Sequence, residues 1–178
     1  ANLLTALSDV LAGMVIAGFA FDTGSAALLL LATLGLYGGG VVLNDYFDAE
    51  LDAVERPERP IPSGQVSSRA ALLFGLSLLT IGVASAFFYT ELSGGIAAGI
   101  ALGAVVYDRF AKHSVVAGPL VMGLCRAGNL LLGVSAIPLS VVSFWPLGIV
   151  PLLYIAGITL ISQGEVHGSR RVFMGMAA

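Results

Sequence analysis

The sequence predicts an all-α fold, a multi-span transmembrane helical bundle, from three observations. Six long apolar runs follow one another with short polar breaks between them. Charged residues are scarce, at 11% of 178 residues against 57% hydrophobic, where a soluble domain carries about a quarter charged. Basic residues, finally, appear after every second run, apart from Arg126 within the fifth. The mean hydropathy of +0.96 fits the same class.

Each run is measured against the roughly 20 apolar residues that cross a bilayer. The first, residues 3–21, has no basic flank and so reads as a span rather than a cleaved signal peptide. It carries Asp9, which must face the bundle interior, and Asn2, seven residues earlier on the same helix face. The second run, 25–43, ends in Gly38-Gly39-Gly40 just ahead of an acidic stretch. The third is 70–89. The fourth, 92–107, is the shortest, and Gly95, Gly99 and Gly103 recur on it every fourth residue, a pattern of close helix packing. The fifth, 115–137, contains the single cysteine, Cys125, read as a small packing residue. It also contains Arg126, about 16 Å along a straight helix from Val115, with Asn129 on the same face. An arginine at that depth needs a partner, such as Asp9, or a polar cavity to line. The sixth run is 144–162. Breaks fall at 22–24, 90–91, 108–114 and 138–143, and the one long polar stretch is 44–69. The whole of 1–178 reads as a single domain.

Charge sets the orientation. Of eight basic residues, seven (Arg56, Arg59, Arg69, Arg109, Lys112, Arg170 and Arg171) follow an even-numbered run, and Arg126 lies within the fifth. The opposite side holds only Asp22 and Glu91. The positive-inside rule then places the basic side and the N-terminus in the cytoplasm. The chain is expected to be an integral, multi-pass membrane protein with membrane lipids around it and no nucleic-acid partner.

The chemistry gathers on that side. Asn44-Asp45-Tyr46-Phe47-Asp48-Ala49-Glu50-Leu51-Asp52 puts Asp45, Asp48 and Asp52 at i, i+3 and i+7, on one helix face. Acids at the mouth of a membrane helix are costly unless used. A row of carboxylates suits a hard cation, and Mg²⁺ so held shares its coordination with phosphate. The loop that follows carries Arg56 and Arg59 among three prolines that forbid helix; a guanidinium fork suits phosphate. The next turn on this side holds Tyr107, Asp108, Arg109, Lys112 and His113. Lys112 reads as a point charge for phosphate, and Tyr107 as either a site residue or an interfacial anchor. After the sixth run, Glu165 and His167 stand at i and i+2, off a common helix face.

Together these residues resemble the UbiA superfamily of intramembrane prenyltransferases. Asn44-Asp45-x-x-Asp48-x-x-x-Asp52 reads as its NDxxDxxxD motif, and Arg59-Pro60-Ile61-Pro62-Ser63-Gly64 as its RP-[IL]-PSG loop. Ser8-Asp9-Val10-Leu11-Ala12-Gly13 is similar to its first helix, and Tyr107 with Lys112 to its Tyr/Lys loop. Gly118-Pro119 through Arg126-x-x-Asn129, with Gly164-Glu165-Val166-His167-Gly168, looks most like the EboC-type branch. The resemblance implies a cavity open to the cytoplasm and Mg²⁺-dependent transfer of a prenyl group from a polyprenyl diphosphate to an aromatic or other small acceptor. Asn44, Asp45, Asp48 and Asp52 would hold Mg²⁺ and diphosphate, with Arg59 and Lys112 assisting the leaving group. Tyr107, Arg126, Asn129, Asp9 and Asn2 would bind substrate. The family's second Asp-rich motif falls where this chain has Glu165 as its only carboxylate, so either one metal suffices, Glu165 and His167 substitute as ligands of a second, or catalysis is lost. The family also carries further helices after the sixth span, so the natural chain is expected to continue. The competing reading is a catalytically reduced relative that binds or traffics a lipid or metabolite, or serves as a subunit of a larger membrane complex.

Overall fold

The computed structural model describes residues 2–19 and 23–176. Among these residues eight α-helices run in order: α1 (Asn2–Ile16), α2 (Thr23–Phe47), α3 (Ala49–Glu55), α4 (Ser68–Tyr89), α5 (Glu91–Val106), α6 (Ala117–Val134), α7 (Pro138–Phe144) and α8 (Ile149–Met176). No strand occurs among the described residues. Side chains cap the starts of α4 and α5. Ser67 accepts a hydrogen bond from the Ala70 amide at the start of α4 (3.2 Å). Thr90 ends α4 and starts α5, accepting from the Ser93 amide (3.0 Å). A hydroxyl at this position satisfies one of the amides that a helix start leaves open.

Among the described residues five segments are long and apolar enough to cross a membrane: Ala26–Phe47, Ser68–Tyr89, Glu91–Ala111, Ala117–Val134 and Pro138–Ser162. The first expected span departs from this. Its helix stops at Ile16, and Gly18 follows with φ +75°. A left-handed glycine closes a helix end, and 15 residues reach only about 22 Å. The fourth span, expected to be short, is lengthened by a π-turn over Tyr107–Ala111, which gives a 21-residue segment. The Lys112 amide there bonds back to the Tyr107 carbonyl at 3.0 Å, five residues away. The break expected at 138–143 is helical, because Pro138 sits at the first helical positions, where its missing amide is no loss.

Helices α1, α2, α4, α5 and α6 close a ring of neighbours, and α8 packs on the outside of α6. The core is filled from all five ring helices, by Val10, Met14, Leu29, Leu36, Leu79, Ala97 and Leu132 among others. Elsewhere large apolar side chains face outward, such as Leu102, Val150, Leu153 and Ile161, as a lipid-facing surface requires.

Glycine sets two of the close crossings. A Cβ on Gly13 would meet the Leu130 carbonyl at 2.2 Å, and one on Gly133 the Val10 carbonyl at 2.0 Å, so α1 and α6 touch backbone to backbone. Gly35 and Gly82 do the same between α2 and α4. The expected packing stripe on α5 is only partly used. Gly103 lies against Cys125, whereas Gly95 and Gly99 have nothing within 4 Å of an added Cβ. Those two glycines point away from the ring, so their spacing reflects no helix contact among the described residues.

Candidate active site

The acidic motif lies where α2 passes into α3. Asp48 is the single turn residue between the two helices, yet its amide still bonds to the Asn44 carbonyl (2.9 Å), and the Asp52 amide to the Asp48 carbonyl (2.8 Å). The helical path is therefore nearly continuous, and Asp45 and Asp52, seven residues apart, come out on one side as expected. The Arg56 amide ends α3 on the Asp52 carbonyl at 2.8 Å.

The loop after α3 then folds back. Ser63 and Val66 donate their amides to the carbonyls of Arg59 and Pro60 at 2.9 Å each, and Gly64 takes φ +77°. Only glycine adopts that backbone without strain. The fold-back brings Arg59 under the motif. One guanidinium nitrogen donates to Asp45 Oδ1 at 3.0 Å and to Asp52 Oδ2 at 2.7 Å. The Asp52 carboxylate is only 7% exposed, that of Asp45 44%, so the Asp52 contact is the stronger of the two. The hydrogen bond to Asp52, reinforced by the charges of Asp52, Asp45 and Asp48, holds the Arg59 guanidinium above its ordinary value. It stays a cation under all working conditions. A cleft of about 350 Å³ opens beside these groups, lined by Val42, Asp45, Asp52, Arg59, Pro60 and Phe74 among others.

The third carboxylate, Asp48, faces the end of α5, where it forms an ion pair with Lys112. The π-turn brings this lysine to it. Arg109, on the same turn, covers the rings of Phe47 and Phe110, with its guanidinium carbon 5.6 and 5.9 Å from the centroids. Tyr107 is half-buried at the head of the turn. Next to it, Asp108 is buried and accepts a hydrogen bond from the Asn44 amide at 3.1 Å. Sequence reading placed Asp108 in this turn without giving it a role, because acids are ordinary at helix ends. The available signal was a carboxylate directly beside Tyr107, at the mouth of an apolar span.

Asn44, Asp45, Asp48, Asp52, Arg59, Tyr107 and Lys112 thus gather where the ends of α2 and α5 meet the loop after α3. The expected metal set is not assembled as such. Among the described residues no three His, Cys, Asp or Glu side chains converge as a metal cage. The physical reason is local, since Arg59 and Lys112 already hold the three motif aspartates as ion pairs. The donor chemistry nevertheless fits Mg²⁺. The groups are carboxylate and amide oxygens, which a hard cation prefers, and Asp108 Oδ2 is buried with no hydrogen-bond partner.

Asp9, Arg126 and Asn129 form a second polar group. Arg126 pairs with Asp9 at 2.8 Å, joining α6 to α1. Asn129 donates to the Ala6 carbonyl (2.6 Å) and accepts from the Thr33 hydroxyl (3.2 Å), tying α6 to α1 and α2. Both ends of its amide are therefore engaged in holding helices. Arg126 Nε is buried and has no hydrogen-bond partner. The side chains of Asn2, Glu165 and His167 lie outside the described residues.

The UbiA prenyltransferase family matches residues 6–168. Among curated relatives, a digeranylgeranylglyceryl phosphate synthase of Methanothrix thermoacetophila is 34% identical over 146 residues, covering 81% of this chain and 55% of the relative. Another of that name, from Methanopyrus kandleri, is 43% identical over 97 residues, covering 54% of this chain and 35% of the relative. A solved structure reported as "Structural and mechanistic insights into the biosynthesis of Digeranylgeranylglyceryl phosphate synthase in membranes" aligns with TM-score 0.82 and 26% identity, over 96% of this chain and 61% of that one. The chain spans about half of the first relative's length and about a third of the second's. These relatives are named digeranylgeranylglyceryl phosphate synthase and not EboC-type, so the family expected from sequence stands and the finer branch does not come from them. The motif, the ring of apolar helices and the match over residues 6–168 agree: the chain belongs to the UbiA prenyltransferase family.

Proposed function

We propose that this chain carries the donor-binding half of an intramembrane transferase that moves a prenyl group from a prenyl diphosphate to an acceptor hydroxyl on a glyceryl phosphate lipid. The observation that carries the donor side is the pairing of two cations, Arg59 and Lys112, with Asp45, Asp52 and Asp48 beside a cleft at the end of an apolar bundle. The acceptor class comes from the relatives' name and narrows the aromatic or other small acceptor expected from sequence.

Diphosphate and carboxylates compete for the same cations. When a diphosphate enters, Arg59 and Lys112 can turn from the aspartates to its oxygens without leaving the site. The freed carboxylates of Asp45, Asp48 and Asp52, with Asn44, would hold Mg²⁺. When bound, that ion neutralises charge on the departing diphosphate. The bond between the prenyl C1 and the diphosphate oxygen breaks, and the electron pair leaves with the oxygen. Arg59 and Lys112 stabilise the developing charge. The allylic cation is captured by a lone pair of the acceptor oxygen, which forms the new C–O bond and then loses its proton. Apolar side chains of the cleft, Val42 and Phe74 among them, exclude the water that would otherwise capture the cation. Arg126, whose Nε is unpartnered, suits the acceptor phosphate, with Asp9 holding it in place. Tyr107 would complete the donor side of the site. The positive-inside distribution supports a site at the cytoplasmic face.

The test uses the full-length protein in vesicles with a radiolabelled prenyl diphosphate. It is offered either a prenylated glyceryl phosphate or an aromatic acid, with Mg²⁺ or with EDTA. Labelled ether lipid formed only with Mg²⁺ and the glyceryl phosphate supports the reading. Product from the aromatic acid alone, or none from either acceptor, refutes it.

A further inference from the structure

Among the described residues, Asp108 is the one buried carboxylate of this region that the mechanism above leaves idle. It is 4% exposed. Its Oδ1 receives the Asn44 amide at 3.1 Å, so the group is aimed at the first residue of the acidic motif. Its other oxygen, Oδ2, is buried without a hydrogen-bond partner. Burying a charged acceptor with one oxygen unsatisfied is unfavourable and calls for a ligand that completes it. The residue stands at the second position of the π-turn, and Lys112 at the end of that turn is paired with Asp48. Both polar contacts of this turn therefore run to the same stretch of the acidic motif, at Asn44 and Asp48. Asn44 uses a donor hydrogen on Asp108, which leaves its carbonyl oxygen free to face a cation beside Asp108 Oδ2.

We infer that Asp108 is a further oxygen ligand of the divalent cation, supplied by the π-turn after α5 from across the motif, and that it fixes the Asn44 amide in the rotamer that offers its oxygen to the same ion. The inference rests on reading the motif as a divalent-cation site. It makes the site a product of two helices, so the cation also clamps α5 to α2.

The experiment is binding of Mn²⁺ alone, followed by electron paramagnetic resonance, to the full-length protein and to its Asp108→Asn and Asp48→Asn variants. Thermal unfolding of each is recorded with and without the metal. Asparagine at 108 still accepts the Asn44 hydrogen bond but puts an NH₂ where a ligand oxygen was. Mn²⁺ affinity should fall about tenfold or more. The metal-free D108N protein should melt at or above the wild-type temperature, since it buries no unsatisfied charge, and should gain less from added Mn²⁺. Wild-type affinity in D108N together with lost affinity in D48N would overturn the role of Asp108 alone. Unchanged affinity in both variants would overturn the cation reading itself. A D108N protein that fails to fold, or melts lower without metal, would also overturn the inference, because it marks a carboxylate kept for structure.

Discussion

Replacing Gly133 by alanine tests whether the α1–α6 crossing is as close as described. The added Cβ would stand 2.0 Å from the Val10 carbonyl oxygen and 2.8 Å from its carbon. Side-chain carbons do not approach closer than about 3.0 Å, and both atoms belong to backbone, so no rotamer change relieves the clash. The helices must part by about 1 Å. The Asn129 to Ala6 hydrogen bond, now 2.6 Å, crosses the same seam and would stretch to about 3.6 Å, which is no longer a hydrogen bond. Overpacking costs about 1–3 kcal/mol, and an orphaned buried amide about 1–3 kcal/mol more. A loss of about 2–4 kcal/mol is expected, because the two relax together. Gly95→Ala is the matched control. It adds the same methyl where nothing lies within 4 Å, and the gain in helix propensity is about 0.5–1 kcal/mol. Equilibrium unfolding in mixed micelles would compare the two. Equal stability of the G133A and G95A proteins would refute the backbone contact, and with it the positioning of Arg126 and Asn129 by that seam.

Further outcomes follow from the ion pairs. Lys112→Gln should lower kcat about 10²–10³-fold, as removal of one group that stabilises developing charge does, while Lys112→Arg should retain part of the rate; steady-state kinetics on the full-length protein would show it, and a wild-type kcat for K112Q would exclude leaving-group assistance. Arg126 and Asp9 are 18% and 23% exposed, so removing either alone should cost roughly 2–4 kcal/mol, less than for a fully buried pair. The Asp9→Ala, Arg126→Ala double variant should be closer to wild type in unfolding than the sum of the single changes, and strict additivity would show that the two do not interact. Thr33→Val removes the hydroxyl that donates to Asn129 across α2 and α6 and should cost about 1–3 kcal/mol; an unchanged melting temperature would mean that water or another donor replaces it.

The span pattern was legible because a bilayer sets a length and a hydropathy for each crossing, and charge alternation then fixes the number of turns on each side. The site was legible because Asp45, Asp48 and Asp52 are expensive in an apolar chain. What each helix presents to its neighbours was not. Lipid is as apolar as a protein interior, so α5 shows no polar face to mark its outer side, and Gly95 and Gly99 look like Gly13 and Gly133 on paper. Only the crossing geometry separates a glycine that admits a backbone from one that faces out. Asp108 escaped for a related reason. Its importance depends on Asn44, 64 residues away, and no local pattern joins them. The shortened first helix was hidden by continuing hydrophobicity through Phe21, although Gly18 ends the helix. The Arg126–Asp9 pair was within reach, since each is a charge inside a span and a charge there needs its opposite.

The π-turn over Tyr107–Ala111 has a consequence for how this span can vary. In an α-helix each residue advances the face by about 100°, so one added residue would swing everything beyond it out of phase. Confining the surplus residue to a wide turn lets the two parts of the segment keep separate rotational settings. The upstream part can hold its alignment with α4 and α6 while the downstream end aims Lys112 at Asp48. Such a turn works as a phase adjuster at the rim of the bundle, where aim can be reset by a single insertion or deletion and the packed body of the helix is left as it was.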